Sequence, residues 1–144
     1  MLTFDPQERV VGFDAARRAS DLPLDQLSRA DPEWLVALID IVDDRSVDAG
    51  FWERHPRGDK ILYVLEGGIA VTLVPEGAEE TTARVSAPGA CVIPKGTWHR
   101  LQVTAPGRML SVTPRIGTED QRHGPAAHHR EDEQSGGRVF HPAA

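Results

Sequence analysis

The rhythm of glycine and proline between Glu33 and Pro114 most constrains what this chain can become. Short strand-like runs recur there: Trp34–Val42, Ser46–Arg54, Ile61–Leu65, Ile69–Val74, Thr81–Val85, Ala90–Ile93, Trp98–Val103 and Met109–Thr113. They are separated by Asp43-Asp-Arg-Ser46, Pro56-Arg-Gly58, Gly67-Gly68, Pro75-Glu-Gly77, Pro88-Gly89, Pro94-Lys-Gly96 and Ala105-Pro-Gly107. Such punctuation leaves no room for a long helix. Short strands bounded by turn residues build an antiparallel sandwich or barrel. The double glycine predicts that Ile61–Leu65 and Ile69–Val74 pair as a hairpin.

The flanks have a different texture. Residues 1–32 are polar with short apolar runs and predict an arm that wraps the domain or pairs with another subunit. Asp14 suits the cap of a brief helix through Arg18, and Asp21–Leu27 a helical turn. Residues 117–144 are rich in Asp, Glu, Gln, His, Arg and Gly, which predicts a polar tail or lid; Val139-Phe140 can dock back on the body. Residues 33–116 are left as one β-domain.

A length of 144 residues fits a single domain. A net charge of -6 with scattered arginines argues against nucleic acid and anionic membranes as partners. Cys91 is the single cysteine and sits among apolar neighbours, so it reads as a buried, inert thiol. The first eighteen residues carry no apolar signal core, and Trp34–Ile39 is too short to span a bilayer, so a cytoplasmic protein is expected.

Against this apolar background two polar groupings stand out. Glu53 and His55 are two residues apart and share one face of an extended strand, whereas the adjacent Asp59 and Lys60 point to opposite faces. Further on, Pro94-Lys-Gly96-Thr-Trp-His99 feeds a histidine into the start of a strand, between Trp98 and Arg100.

Together these residues resemble the two motifs of small single-domain bacterial cupins, over about Trp34–Pro114. The second motif fits at Gly89, Pro94, Gly96 and His99, with Val103 where the family often has Asn. The first fits in outline through His55 and Gly67, and its Trp-Glu-x-His-Pro-x-Gly-Asp core is similar to a bacterial subgroup. Thr113-Pro-Arg-Ile-Gly-Thr-Glu119 is similar to that subgroup's ending. The resemblance implies an all-β, antiparallel jelly-roll barrel and a divalent metal held by three histidines and a glutamate. Carried over by position, Glu53 replaces the first histidine, and His55 and His99 match the second and third. The glutamate position falls on Lys60 or Asp59, depending on the spacing.

Three functions follow. A metal site of Glu53, His55, His99 and Asp59, suited to Fe, Mn, Ni or Zn, would serve a dioxygenase, isomerase or lyase acting on a small organic molecule. A metal-free set of His55, His99, Lys60 and Glu53 would serve acid–base chemistry such as epimerisation, dehydration or cyclisation. A non-catalytic ligand-binding or regulatory module is the third. The direction of Lys60 separates the first two, because an inward ammonium repels a dication. Trp52, Trp98 and Arg100 are candidates for the substrate pocket, and Arg108, Ser111 and Thr113 put further polar groups on the late strands. His123, His128, His129 and His141 resemble a metal tract but read as polar filler. Surplus apolar strand faces predict a homodimer.

Overall fold

Two strands much longer than the turn residues suggest carry the molecule. The computed structural model describes residues 1–23 and 32–125. Among the described residues nine strands run in chain order: β1 (Arg9–Phe13), β2 (Ala19–Pro23), β3 (Trp34–Ile41), β4 (Trp52–Arg54), β5 (Lys60–Val74), β6 (Thr81–Ser86), β7 (Gly89–Ile93), β8 (Trp98–Pro114) and β9 (Glu119–Gln121). All pairings are antiparallel.

The two long strands, β5 and β8, pair along nearly their whole length, from Ile61↔Val112 to Val74↔Trp98. The other edge of β5 takes β7 on its first half and β6 on its second. The other edge of β8 takes β4 and β3. Both long strands bend at mid-length, and the sheet rolls over itself into a barrel.

The bend explains why Gly67-Gly68 and Pro106-Gly107 are where they are. The register shifts between Val64 and Ile69, and Gly67 has φ of 77°. A β-carbon on Gly67 would strike the Pro106 carbonyl, and one on Gly107 would strike the Glu66 carbonyl. The two backbones approach at a distance only glycine permits. The expected hairpin between Ile61–Leu65 and Ile69–Val74 is therefore corrected: both lie on one bent strand.

Side-chain alternation then sets the core. Lys60, Leu62 and Val64 point inward, while Tyr63 and Leu65 are about half exposed on the outer face, at 49% and 50%. Leu62, Val64, Ile69 and Val71 meet Ile41, Ile93, Leu101 and Met109 inside the barrel. Each such side chain contributes about 1.5–3 kcal/mol by leaving water. A smaller cluster of Val10, Leu35 and Ala37 lies under the N-terminal strands.

The flanks belong to the sheet. β1 and β2 form a hairpin laid on β3. The segment expected to be a brief helix is the hairpin's turn: Asp14 Oδ1 accepts from the Arg18 amide at 2.9 Å, and Arg17 has φ of 63°. Of the helical turn expected over Asp21–Leu27, Asp21–Pro23 is strand and residues 24–27 lie outside the described residues; Arg9 pairs with Asp21 across the hairpin. The expected strand Ser46–Arg54 shrinks to β4. A short 3-10 turn, Asp44–Val47, precedes it, capped by Asp43, whose Oδ1 accepts from the Arg45 amide. β9 pairs with β4, and Arg54 forms an ion pair with Glu119, so the tail's beginning is part of the barrel wall. His123 is exposed; Val139-Phe140, His128, His129 and His141 lie outside the described residues. Among the described residues no helix is long and apolar enough to cross a membrane.

Candidate metal centre

Three chain segments deliver the site. β4 and β8 meet through Glu53↔His99, which faces these side chains inward on neighbouring strands. His55 follows β4 two residues after Glu53. The turn at residues 94–96 is tied to it, because the Gly96 amide donates to the His55 carbonyl at 2.9 Å. The two motifs of the sequence are thus bolted together through the backbone.

Glu53, His55 and His99 each bring one ligand atom, all within 4.8 Å of one another. The imidazole rings lie 5.4 Å apart between centroids, tilted by 38°. His55 and His99 are buried, at 3% and 1% exposure. Their outer nitrogens are anchored: His99 Nδ1 lies 3.0 Å from the Thr97 carbonyl, and His55 Nδ1 lies 2.9 Å from Thr118 Oγ1. Thr118 donates to the Pro114 carbonyl at 3.2 Å, which leaves its oxygen to accept from His55. Both rings therefore carry a proton on Nδ1 and turn Nε2 into the barrel. Neither buried Nε2 has a hydrogen-bond partner. His55 Nε2 approaches Glu53 Oε1 at 2.7 Å, but without the alignment of a hydrogen bond.

Electrostatics keep Glu53 and His99 in ligating form. Burial lowers the His99 pKa to about 4, helped by the Lys60 ammonium and opposed by Glu53, so the ring is neutral at neutral pH. Burial alone would raise the Glu53 carboxyl, but the Lys60 ammonium, the contact with His55 and the His99 ring outweigh it and hold the group well below the usual range.

Lys60 points inward, with Nζ 3.7 Å from Glu53 Oε1. Asp59 points out, and its Oδ1 accepts from the Lys95 amide at 2.7 Å. The expectation of Asp59 as a fourth ligand is corrected: it fastens the 94–96 turn instead. Asp59→Ala should lower unfolding stability by about 1 kcal/mol, measured in urea, and leave any metal stoichiometry unchanged.

The expected pocket residues also move. Trp52 and Arg54 flank Glu53 on β4 and face away from it. The Arg100 guanidinium lies 4.9 Å from the Trp52 ring centroid, and that of Arg54 4.8 Å from Trp98. These cation–π pairs clamp the outside of the site, so Trp52 and Trp98 do not line the interior cavity. Arg100 borders that cavity and stacks on Trp52, and its buried Nε has no hydrogen-bond partner. The cavity holds about 100 Å³ beside Glu53, Lys60 and His99. A larger depression of about 420 Å³ between Val42–Arg45 and Val103–Pro106 contains no buried titratable group. Cys91 is half-buried, and burial pushes its thiol up despite Lys60, as suits an inert thiol.

Thr97 and Thr118 anchor the two rings, a role that residue type and spacing do not announce. Thr118 belongs to the Thr113–Glu119 ending, which was the available signal.

No protein-family model matches the chain, and no curated protein does. Solved structures do. Hydroxypropylphosphonic acid epoxidase from S. wedmorenis matches with a TM-score of 0.51 at 18% identity, over 78% of this chain and 59% of its own. A cupin-2 domain containing protein from Shewanella frigidimarina NCIMB 400 matches at 0.41 and 21% identity, over 58% and 72% of the two chains. A cupin superfamily protein from Desulfitobacterium hafniense DCB-2 matches at 0.42 and 15%, over 57% and 67%. The chain thus spans less than two thirds of the epoxidase, and at these identities the likeness is one of fold.

Proposed function

We propose that this chain, a cupin by fold, holds one divalent metal ion through Glu53, His55 and His99 and acts on a small organic molecule bound beside it. The observation that carries this reading is the pair of buried Nε2 atoms. Each ring spends Nδ1 on its anchor and turns Nε2 inward, where it has no hydrogen-bond partner. An unsatisfied buried acceptor costs about 1–3 kcal/mol. Two of them aimed at an ionised carboxylate make a ligand set complete but for its cation. Two imidazoles and one carboxylate with open positions suit Fe(II), and also Mn, Ni or Zn.

Such an ion would supply Lewis acidity or redox chemistry to a ligand placed on its open side. The protein's own residues do the positioning. Thr97 and Thr118 fix the ring orientations, Lys60 keeps Glu53 ionised, and the apolar walls exclude water. Dioxygenase, isomerase and lyase chemistries all fit these parts. Metal-stripped protein titrated with Zn(II), Mn(II) and anaerobic Fe(II) should bind one equivalent per chain. Absence of uptake for all three sinks the reading.

The inward Lys60 favours a second reading, in which His55, His99, Lys60 and Glu53 perform acid–base chemistry without a metal. Turnover unaffected by a chelator would select it. Tight ligand binding without turnover would instead mark a non-catalytic module.

The homodimer belongs to the same reading. Tyr63, Leu65 and Val92 are exposed on the barrel's outer face, and a second copy of the chain is the proposed cover. Light scattering should give about twice 15.8 kDa, and Val92→Glu should return the protein to that monomer mass.

A further inference from the structure

We infer that the cavity beside the metal centre is a binding site for a small carboxylic acid, whose carboxylate seats on the Lys60 ammonium and the Ser111 hydroxyl. Lys60 is the first residue of β5, and its side chain is 10% exposed inside the barrel. Among the described residues its one charged partner is Glu53 Oε1 at 3.7 Å, beyond a hydrogen bond. An ammonium has three donors, so a buried lysine held this way has capacity left and little water to use it on. It needs a second acceptor, and an anionic one satisfies both its charge and its donors.

The charge balance of the cup points the same way. Glu53 and Lys60 cancel. A divalent ion on the three ligands would leave two uncompensated positive charges at one buried spot. The metal half of this balance rests on the proposed function; the unspent lysine donors do not.

The walls define the rest of the ligand. Ser111 borders the cavity, and its Oγ lies 2.8 Å from Thr113 Oγ1. If Thr113 donates in that pair, Ser111 can donate inward. Ile39, Val47, Phe51, Leu101 and Met109 give the wall its apolar part, with Ser46 and Arg100 beside them, so the body of the ligand is short and largely apolar. The cavity is small, about 100 Å³, which suits an acid of a few carbons. Asp48 borders the same cavity but is exposed at its rim, where solvent screens its charge.

Propionate and propionamide are the probes, matched in shape and different in charge, with inorganic phosphate as a third arm. Calorimetry on the metal-free full-length chain should show propionate binding at least tenfold tighter than propionamide and phosphate. Lys60→Met should weaken propionate at least tenfold, while Lys60→Arg stays within a few fold of wild type. Equal binding of acid and amide in wild-type protein overturns the inference without any variant. So does propionate affinity unchanged in a folded Lys60→Met, or phosphate binding as tightly as propionate. Because the metal-free chain is used, failed metal uptake with propionate selectivity intact removes only the metal reading; the reverse result removes only this one.

Discussion

His99→Ala is expected to lower the protein's affinity for Zn(II) at least about a hundredfold while the barrel stays folded. Losing an outer-shell partner alone typically costs about 10–100-fold in metal affinity, so losing one of three donors costs more. The remaining pair, Glu53 and His55, offers an ion two protein donors in place of three. Folding should survive because the substitution also removes a buried Nε2 that has no partner. Its main cost is the cavity left by a ring only 1% exposed. Calorimetric titration reads the affinity, and urea unfolding of the same sample reads the fold. Zn(II) affinity within a few fold of wild type would remove His99 from the ligand set.

The second large effect concerns the bend that creates the barrel. Gly107→Ala should destabilise the protein by about 3 kcal/mol or more, a large part of a small domain's total stability. The added methyl group would fall on the Glu66 carbonyl, which is backbone and cannot rotate away. β5 and β8 would have to separate where they cross, and that separation propagates to the core on both sides. Gly50→Ala is the control: nothing lies within 4 Å of its β-carbon position, so unfolding stability should hardly change. Similar urea midpoints for the two variants would show that the close approach at the bend is not what holds the strands.

The bend also shows where sequence reasoning stops. A Gly-Gly between two apolar runs is the signature of a hairpin, and locally the two halves of β5 look like one. What distinguishes them is that both halves pair with β8, a fact that depends on residues some forty positions away. The fold class was legible because turn spacing and strand alternation are local properties. The strand count and lengths were not, because a bent strand and a turn use the same residues.

The site was legible in the same uneven way. Glu53 and His55 share a face by strand parity, and His99 follows its turn in a recognisable motif. The Pro56-Arg-Gly58 turn breaks that parity, which left Asp59 and Lys60 undecided. Counting back from Leu62 and Val64, both buried, places Lys60 inside. Thr118 was hidden for a different reason. It sits in a stretch whose composition reads as a solvated tail, and only the pairing of β9 with β4 brings it to His55. The N-terminal hairpin escaped likewise: β1 and β2 are weak strands in isolation and acquire their order from the edge of β3.

The central claim is that His55 and His99 present Nε2, with Nδ1 protonated, to one divalent ion shared with Glu53. Nitrogen-15 NMR of histidine-labelled protein, recorded as Zn(II) is added, tests it most directly. Two histidine Nε2 resonances, assigned by His55→Ala and His99→Ala, should shift together and saturate at one equivalent, while their Nδ1 resonances remain those of protonated nitrogen. Nε2 resonances that stay in place through excess Zn(II), or shifts confined to the exposed His123 and the histidines beyond residue 125, would contradict it.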